Sequence, residues 1–481
     1  MEYEGVIGLE VHAELVTKSK MFCGCAVVMS EGEAPNSHVC PICTGMPGML
    51  PVINRRAVDM TIMTGLALNC TIEEFNIFAR KNYFYPDLPK GYQISQYEFP
   101  LCKNGWLEIE TSQGRKRIGI RRVHLEEDTG KNIHQGNVSL IDFNRSGVPL
   151  MEIVSEPDLH TAEEVKSYAE KLRAIVRYLG VNTGDMEKGV IRFEPNISIR
   201  PVGVKEFGTR TELKNLNSFR ALERGTAYEL VRQAKVLDEG GKVVQETRGW
   251  DEARNVTVSQ RSKEEAEDYR YFPEPDLPPL IVERAWVDEI RATLPELPDA
   301  KYDRFVKDYG LSAGDASVLV TDRAVADYFE ETVKQLDGKQ AKVVCNWLTG
   351  ELFRYMNEAL LPIEQVKIAP RSLAGLIEMV EVGTINLNTG KRVLGEMFKT
   401  GASAKSIVDA QGLAQISDSS AIEAIVTKVL DANAAQVEKY LAGKETILGF
   451  LVGQVMKESR GKANPNAVQE IMQRQLVERK K

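Results

Sequence analysis

The sequence lacks any apolar run of the roughly 18 to 20 residues that a membrane span requires. Its first five residues, MEYEG, are acidic, without the basic start and apolar core of a secretory signal peptide. We therefore expect a cytoplasmic protein with no membrane partner. Apolar residues make up 43% and charged residues 27% of the 481 residues, which is typical of a globular protein of several domains.

Several common catalytic motifs are also absent. There is no G-x-x-x-x-G-K-[ST] phosphate loop, no G-x-G-x-x-G after a strand and no H-E-x-x-H metal motif. If the protein uses ATP, it must bind the nucleotide with a less familiar set of residues. No Ser/Lys or Cys/His amidase motif is present, so the sequence offers no nucleophile for releasing ammonia from an amide.

Positive charge is in deficit overall, since 69 acidic residues outweigh 61 basic residues and leave a net charge of −8. Proteins that coat nucleic acid are usually basic, so this balance argues against DNA binding but permits a local basic patch. The last 25 residues are locally basic, with a charge of +4. This end is either a frayed basic tail or a surface for a phosphate backbone. Its basic residues are Lys457, Arg460, Lys462, Arg474, Arg479, Lys480 and Lys481.

The hydrophobic pattern predicts an α+β protein. Residues 1–290 contain short alternating strands and two helices, one that Thr161 caps and one that begins near Ser218. The proline-dense segment 271–279 predicts an extended, rigid exit from this domain. Apolar residues then recur at helical spacing, which predicts a helical domain over 291–405 and a helical tail over 406–481.

Four of the seven cysteines cluster early in the chain. Cys23 and Cys25 precede Cys40 and Cys43 by a short loop, and two closely spaced thiol pairs suit a tetrahedral zinc ion. Four protein ligands leave no position for water, so the expected role is structural. The alternative is four reduced, buried cysteines. Scattered cysteines in a long intracellular chain do not indicate disulfides.

Acidic and basic side chains share faces of several predicted strands. Glu10 and His12 stand side by side on one strand, because side chains two residues apart point the same way. Glu152 lies in an otherwise apolar strand, where a buried carboxylate requires a partner. The same alternation places three further sets of side chains on shared strand faces. They are His124, Glu126 and Asp128, then Arg192, Glu194 and Asn196, then Arg210, Glu212 and Lys214.

Such faces are typical of a concave polar surface that holds Mg²⁺ through carboxylates and polyphosphate through Arg and Lys. That surface would suit phosphoryl transfer. The alternative is an ordinary exposed sheet face crossed by ion pairs. A loop over 83–96 also contributes aromatic residues that are interleaved with Lys81 and Lys90. It could stack on the terminal adenine of a tRNA or cap the core.

The whole chain resembles the GatB family, the B subunits of Glu-tRNA(Gln)/Asp-tRNA(Asn) amidotransferases. The matching segments occur in order along the chain. They are Val6–Leu15 (VIGLEVHAEL), Arg80–Asp87 (RKNYFYPD), Tyr92–Gln96 (YQISQ), His124–Asp128 (HLEED), Asp142–Leu150 (DFNRSGVPL), Glu152–Asp158 (EIVSEPD), Glu212–Ser218 (ELKNLNS), Asp268–Asp276 (DYRYFPEPD) and Gly449–Gly453 (GFLVG).

The resemblance implies a cradle domain with an antiparallel sheet, a helical domain and a small YqeY-like tail that contacts tRNA. It implies that ATP phosphorylates the side-chain carboxylate of Glu-tRNA(Gln) or Asp-tRNA(Asn), and that ammonia then displaces the phosphate. The ammonia would come from glutamine through a separate amidase, the A subunit, within a heterotrimer that includes a small C subunit.

The resemblance also assigns roles to residues. It implies that Glu10, His12, Glu126 and Glu152 are the catalytic residues and the Mg²⁺ ligands. Glu194 stands where family members often have Asp, so its longer side chain changes the local geometry. Zn²⁺ at the four cysteines is optional for the chemistry, since some members lack them. The residues expected to bind ATP are Lys90, Arg192, Glu194, Arg210, Glu212 and Lys214.

Two other hypotheses stay open at this point. One is a tRNA-binding scaffold whose chemistry lies in its partners, and the other is a free-standing amidating ligase. The first requires that ATP binding involve no residue of this chain. The second requires glutaminase activity from this chain alone.

Overall fold

The computed structural model describes residues 2–28, 32–262, 269–414, 419–444, 446–459, 463 and 465–479. It divides into two compact units, Met1–Pro298 and Asp299–Lys481. Asp268 of the family motif, and Arg460, Lys462, Lys480 and Lys481 of the basic tail, lie outside the described residues. No helix among the described residues has the length and apolar character needed to cross a membrane.

The first unit combines sheets with helices. Its strands are β1 (Tyr3–Glu14), β2 (Thr71–Ile72), β3 (Phe75–Asn76), β4 (Ala79–Asn82), β5 (Tyr92–Ser95), β6 (Cys102–Thr111), β7 (Gly114–Glu127), β8 (Lys131–Gln135), β9 (Val138–Asp142), β10 (Pro149–Ser155), β11 (Ile191–Pro201), β12 (Thr211–Lys214), β13 (Glu246–Asp251), β14 (Val256–Ser262), β15 (Phe272–Pro273) and β16 (Leu280–Ile281). Its helices are α1 (Arg55–Ala67), α2 (Ala162–Tyr178), α3 (Phe219–Asp238) and α4 (Arg284–Ala292).

One nine-stranded sheet organises this unit, in the order β14-β13-β12-β11-β1-β10-β7-β6-β2. Its neighbouring strands are antiparallel except β12 and β13, which are parallel. Parallel neighbours need a crossover connection, and α3 supplies it between these two strands. The predicted antiparallel sheet is therefore confirmed, with one parallel pair.

The central strand β1 shows why the sheet has one dry face and one polar face. Ile7, Leu9 and Val11 are almost fully buried and belong to the same core as Val165 and Leu172 of α2. Burying each such side chain contributes about 1.5–3 kcal/mol. Because strand side chains alternate, this packing turns the intervening residues of β1 to the opposite face. The sequence pattern predicted this division correctly.

The two predicted helices of this unit are also confirmed. The Thr161 side chain accepts a hydrogen bond from the backbone of Glu164 at the start of α2. The Ser218 side chain accepts one from Ala221 at the start of α3. Each satisfies a backbone N–H group that the first turn of a helix leaves free.

The proline-dense segment 271–279 contains a turn at 275–277, and the prediction that it forms an extended exit from the domain is wrong. Strand β15 pairs with β4, and β16 pairs with β3, so both ends of the segment are tied into the first unit. The buried Glu274 receives two hydrogen bonds from Arg80, at 2.7 and 2.8 Å. Proline blocks a hydrogen bond on one side of a strand only, so short edge pairings survive it.

The second unit is helical. Its helices are α5 (Pro298–Tyr309), α6 (Ala313–Val320), α7 (Arg323–Gln335), α8 (Ala341–Asn346), α9 (Phe353–Ala359), α10 (Pro370–Glu381), α11 (Leu387–Thr400), α12 (Ala404–Gln411), α13 (Ser419–Ala432), α14 (Ala434–Leu441), α15 (Ile447–Glu458) and α16 (Pro465–Glu478). A π-helical turn (Trp347–Leu352) joins α8 to α9, and a 3₁₀ turn spans Ile363–Gln365.

The described residues of this unit form two separate hydrophobic cores. The first includes Leu373 and Ile377 of α10 and extends to Ile407 and Val408 of α12. The second is made by α13, α14, α15 and α16, with residues such as Leu430 at its centre. The sequence pattern predicted helices throughout this region, and that prediction is confirmed.

Candidate functional site

The polar face of the nine-stranded sheet brings together residues that are far apart in sequence. His12 of β1 lies directly opposite Glu152 of β10, and Glu152 in turn lies opposite His124 of β7. On the other side of β1, His12 faces Arg192 and Glu10 faces Glu194, both of β11. Antiparallel neighbours that lie opposite each other project to the same face. The register therefore places these side chains in one cluster.

The first carboxylate group consists of Glu126 and Glu152 around His12. His12 Nε2 lies 3.7 Å from Glu126 Oε1 and 3.9 Å from Glu152 Oε2. His124 Nε2 lies 3.1 Å from the same Glu152 oxygen. Burial works against ionisation of Glu152, but His124 and His12 hold the pKa of its carboxyl well below its usual range. Glu152 is thus an anion held in place by its neighbours.

The donor set of His12, Glu126 and Glu152 fits a divalent cation. One ligand atom from each lies within 4.8 Å of the others, and bonds of about 2.0–2.1 Å to one ion produce spacings of that order. The buried atoms Glu126 Oε2 and His12 Nδ1 have no hydrogen-bond partner among the described residues. A divalent cation would balance the negative charge of the Glu126 and Glu152 carboxylates.

A second carboxylate group lies on the β11 side of His12 and consists of Glu10, Glu194 and Glu212. Lys214 Nζ lies 3.2 Å from a carboxylate oxygen of Glu194 and 3.2 Å from one of Glu212. Asn196 donates a hydrogen bond of 3.2 Å to Glu10. Burial, with the charges of Glu152 and Glu212, raises the pKa of Glu10. Three carboxylates against one lysine leave this group short of positive charge.

A third set of charges closes one end of the face. Both terminal nitrogens of Arg192 lie 3.4 Å from Asp128, and one lies 3.8 Å from Glu14. Burial disfavours the charged form of Asp128, but the guanidinium groups of Arg192 and Arg145 lower its pKa to about 2. Burial and the charge of Asp128 raise the pKa of Glu14 to about 7. The long contacts of Arg192 leave it able to bind an additional anion.

Two predicted ATP-binding residues lie apart from this cluster. The ammonium of Lys90 is bound by the buried carboxylate of Glu127, which also accepts a hydrogen bond of 3.0 Å from the backbone of Ile94. Arg210 is exposed, just before β12, and makes no ion pair among the described residues. The aromatic loop leaves the Phe84 side chain 84% exposed beside a cavity of about 480 Å³.

The four predicted zinc ligands do come together. Cys23, Cys25, Cys40 and Cys43 each place a sulfur atom within 4.8 Å of the others. The sulfurs of Cys40 and Cys43 are 3.9 Å apart, close to the edge of about 3.8 Å that four Zn–S bonds of 2.3 Å produce. The buried Lys20 ammonium lies 3.6 Å from Cys43. A hydrogen bond from Cys23, with help from Lys20, lowers the pKa of Cys43 to about 4.

The predicted site left out several residues that the structure places in it. His124, Asp128 and Asn196 carried a signal, because each has the same strand parity as a predicted ligand. The only sequence feature that indicated Lys81 was its aromatic neighbours. Its position in the site depends on the pairing of β4 with β5. Parity identifies a shared face within one strand, but not which strands become neighbours.

Comparisons with known proteins match this arrangement over nearly the whole chain. The model of the GatB/GatE catalytic domain matches residues 5–288, and that of the GatB domain matches residues 327–476. The chain is 54% identical over 481 residues to the B subunit of the aspartyl/glutamyl-tRNA(Asn/Gln) amidotransferase of Carboxydothermus hydrogenoformans, a match that covers 99% of each protein. The protein of the same name from Thermodesulfovibrio yellowstonii is 53% identical over 479 residues, or 99% of this chain and 100% of that relative. The polar face and the four-cysteine cluster both lie within the segment that the catalytic-domain model matches, and this chain belongs to the GatB/GatE family.

Proposed function

We propose that this chain is the component of a glutamine-dependent tRNA amidotransferase in which the carboxylate of a misacylated tRNA is activated. The observation that carries the proposal is the buried cluster of His12, Glu126 and Glu152 on the polar face. Its substrates would be Glu-tRNA(Gln), Asp-tRNA(Asn) or both. The names of the relatives support the tRNA amidation role.

The reaction requires activation because ammonia does not displace oxide from a carboxylate. In the proposed first step, a side-chain carboxylate oxygen of the amino acid attacks the γ-phosphorus of ATP, and the bond to the β-phosphate oxygen breaks. ADP leaves, and an acyl phosphate remains on the tRNA. In the second step, ammonia attacks the acyl carbon, inorganic phosphate leaves and an amide forms. The product is Gln-tRNA(Gln) or Asn-tRNA(Asn).

The residues on the polar face have distinct proposed roles. His12, Glu126 and Glu152 would hold Mg²⁺, with Glu10 beside them, and the ion would neutralise charge on the transferred phosphoryl group. His124 fixes the Glu152 carboxylate at 3.1 Å. Arg192 and Lys214, both on the β11 side of His12, would bind phosphate oxygens, together with the neighbouring Glu194 and Glu212 as metal or water ligands.

Other parts of the proposal lie outside the polar face. We assign a structural Zn²⁺ to the four cysteines, and we keep Lys90 and Arg210 as secondary candidates for nucleotide contact. We divide the chain into a cradle domain (1–290), a helical domain (291–405) and a tRNA-binding tail (406–481). The ammonia would come from an amidase, the A subunit, in a heterotrimer with a small C subunit.

The proposal predicts the effect of removing one charge from the cation cluster. Glu126→Gln, made in the assembled amidotransferase, should lower ADP formation that depends on misacylated tRNA by about 100-fold or more, because a cation ligand is lost. tRNA binding should stay near wild type. The measurement is steady-state ADP formation together with a tRNA binding titration.

The matched control is Glu4→Gln. Glu4 lies on β1, on the same face as Glu10 and about 20 Å from it, and binds Arg200 instead of the cluster. This variant should retain wild-type activity. If Glu126→Gln also retained full ATP-dependent transamidation, the assignment of the cation site would be wrong, and the scaffold hypothesis would gain support.

A further inference from the structure

Lys81 is half-buried at one edge of the polar face, yet its ammonium has no carboxylate partner among the described residues. No hydrogen bond or ion pair of 4.0 Å or less joins it to any of them. Two tyrosine rings flank the ammonium instead. Its Nζ lies 5.0 Å from the ring centre of Tyr269 and 5.8 Å from that of Tyr83. Cation–π contacts stabilise an ammonium but leave its three N–H donors free.

Strand pairing fixes the direction in which Lys81 points. Lys81 of β4 lies directly opposite Gln93 of β5, so both side chains project to the same face. Gln93 Nε2 donates a hydrogen bond of 2.6 Å to the backbone oxygen of Glu127, at the end of β7. Lys81 is therefore aimed at the end of β7 that carries Glu126. Burial opposes its charge, but the carboxylates of Glu126 and Glu152 raise the pKa of Lys81.

The surroundings of Lys81 differ from those of the other cations on the face. Lys214 already binds Glu194 and Glu212, on the β11 side of His12. Lys81 approaches from the β7 side, where Tyr271 stacks on Tyr97 with ring centres 4.3 Å apart. Aromatic walls suit an aminoacyl end better than a triphosphate, since they offer few donors for the many oxygens of the latter.

We propose that Lys81 binds the side-chain carboxylate of the tRNA-linked amino acid and orients it toward the cation cluster of His12, Glu126 and Glu152. This inference rests on the proposed function. The ammonium supplies one charge-assisted hydrogen bond to a substrate oxygen. The aromatic rings exclude water and keep the ammonium from turning to a protein carboxylate. Lys81 is thereby a specificity determinant, because an amide side chain presents no anion to its ammonium.

The test is Lys81→Met in the assembled enzyme supplied with glutamine, with ADP formation and amide product measured in parallel. We expect kcat/KM for misacylated tRNA in ADP formation to fall about 10- to 100-fold, as for the loss of one hydrogen bond to a charged group. The KM for ATP and the temperature of unfolding should stay near wild type. Lys103→Met is the matched control, since Lys103 lies on β6 and forms its ion pair with Glu73, at 3.8 Å.

Several outcomes would overturn the inference. Unchanged ADP formation with reduced amide product would place Lys81 in ammonia delivery, and a raised KM for ATP alone would place it in nucleotide binding. If Lys81→Met unfolds early, Lys81→Gln, which retains polarity but removes the charge, should show the same loss of kcat/KM. Wild-type activity in a folded Lys81→Gln enzyme would contradict the role. If the wild-type enzyme forms no ADP with misacylated tRNA, the proposed function fails instead.

Discussion

At the scale of single residues, the carboxylates of the polar face differ in what balances their charge. Glu152 is held by His124 at 3.1 Å, and Glu194 and Glu212 share Lys214. Glu126 retains a buried oxygen without a partner among the described residues. Such an unpaired group destabilises the isolated fold, and binding of a cation would remove that cost. We therefore expect the loss of Glu126 to affect cation binding most directly.

Glu14 provides a test of the electrostatics that does not depend on substrate. Burial and Asp128 raise its pKa to about 7, so the native state binds a proton more tightly than the unfolded chain. A raised carboxyl pKa removes stability as pH rises from about 4.5 through 7. In chelator-treated protein, Glu14→Gln should therefore be more stable than wild type at pH 8, by about 1–3 kcal/mol, and not at pH 4. Urea unfolding at both pH values measures this, and equal stability at pH 8 would contradict it.

Individual residues also show how far the sequence predicts the site. Strand alternation singled out Glu10, His12 and Glu126, and apolar neighbours singled out Glu152. The family resemblance then assigned the metal role to these residues. Their assembly depends on the order β11-β1-β10-β7, whose members are separated by loops and helices along the chain. Pairing over such distances is a property of the whole sheet, so no local pattern predicts it. The position of Lys81 beside the carboxylate cluster was missed for this reason.

At the scale of elements, the cysteine loop and the cradle strands are connected through Lys20. Its ammonium donates to the backbone oxygens of His38, at 2.9 Å, and Phe143, at 3.2 Å, beside Cys43. This lysine joins both sides of the loop to the segment before β10. The short spacing of the cysteines predicted the cluster, because tight turns bring each pair together. By contrast, proline content alone misled the prediction for segment 271–279, whose ends pair with β3 and β4.

The zinc ion proposed for the four-cysteine cluster leads to a prediction about metal content. Purified wild-type protein should contain one zinc ion per chain, and Cys40→Ser should lose it, because three thiolates hold the ion less tightly. The temperature of unfolding should fall by roughly 5 °C or more. Elemental analysis and calorimetry measure both effects. The control is Cys345→Ala, since Cys345 is buried in the second unit, and a zinc-free wild-type protein would favour four reduced cysteines.

At the scale of the whole molecule, the tail stays a predicted tRNA-binding part. Two of its arginines already pair with acidic residues of α13, Arg474 with Glu423 and Arg479 with Asp431, the latter at 2.5 Å. Exposed pairs of this kind are weak and exchange readily for phosphate. The core of the preceding helices includes Ile407 and Val408, so a cut at 406 would damage that core.

A deletion that begins after Ala414 therefore tests the tail cleanly. It should weaken tRNA binding and reduce the dependence of affinity on salt, because fewer phosphate contacts release fewer counterions. ATP binding should be unchanged. Binding titrations at several salt concentrations measure this, and an unchanged tRNA affinity would leave the basic end without a role in recognition.

The central claim is that the substrate carboxylate itself is phosphorylated at the polar face. It is tested most directly with misacylated tRNA that carries a heavy oxygen isotope in the side-chain carboxylate. The assembled wild-type enzyme should transfer one labelled oxygen to inorganic phosphate for each amide formed, and the Glu126→Gln enzyme should transfer almost none. Amide formation without label in the phosphate, or unimpaired transfer by the Glu126→Gln enzyme, would contradict the account.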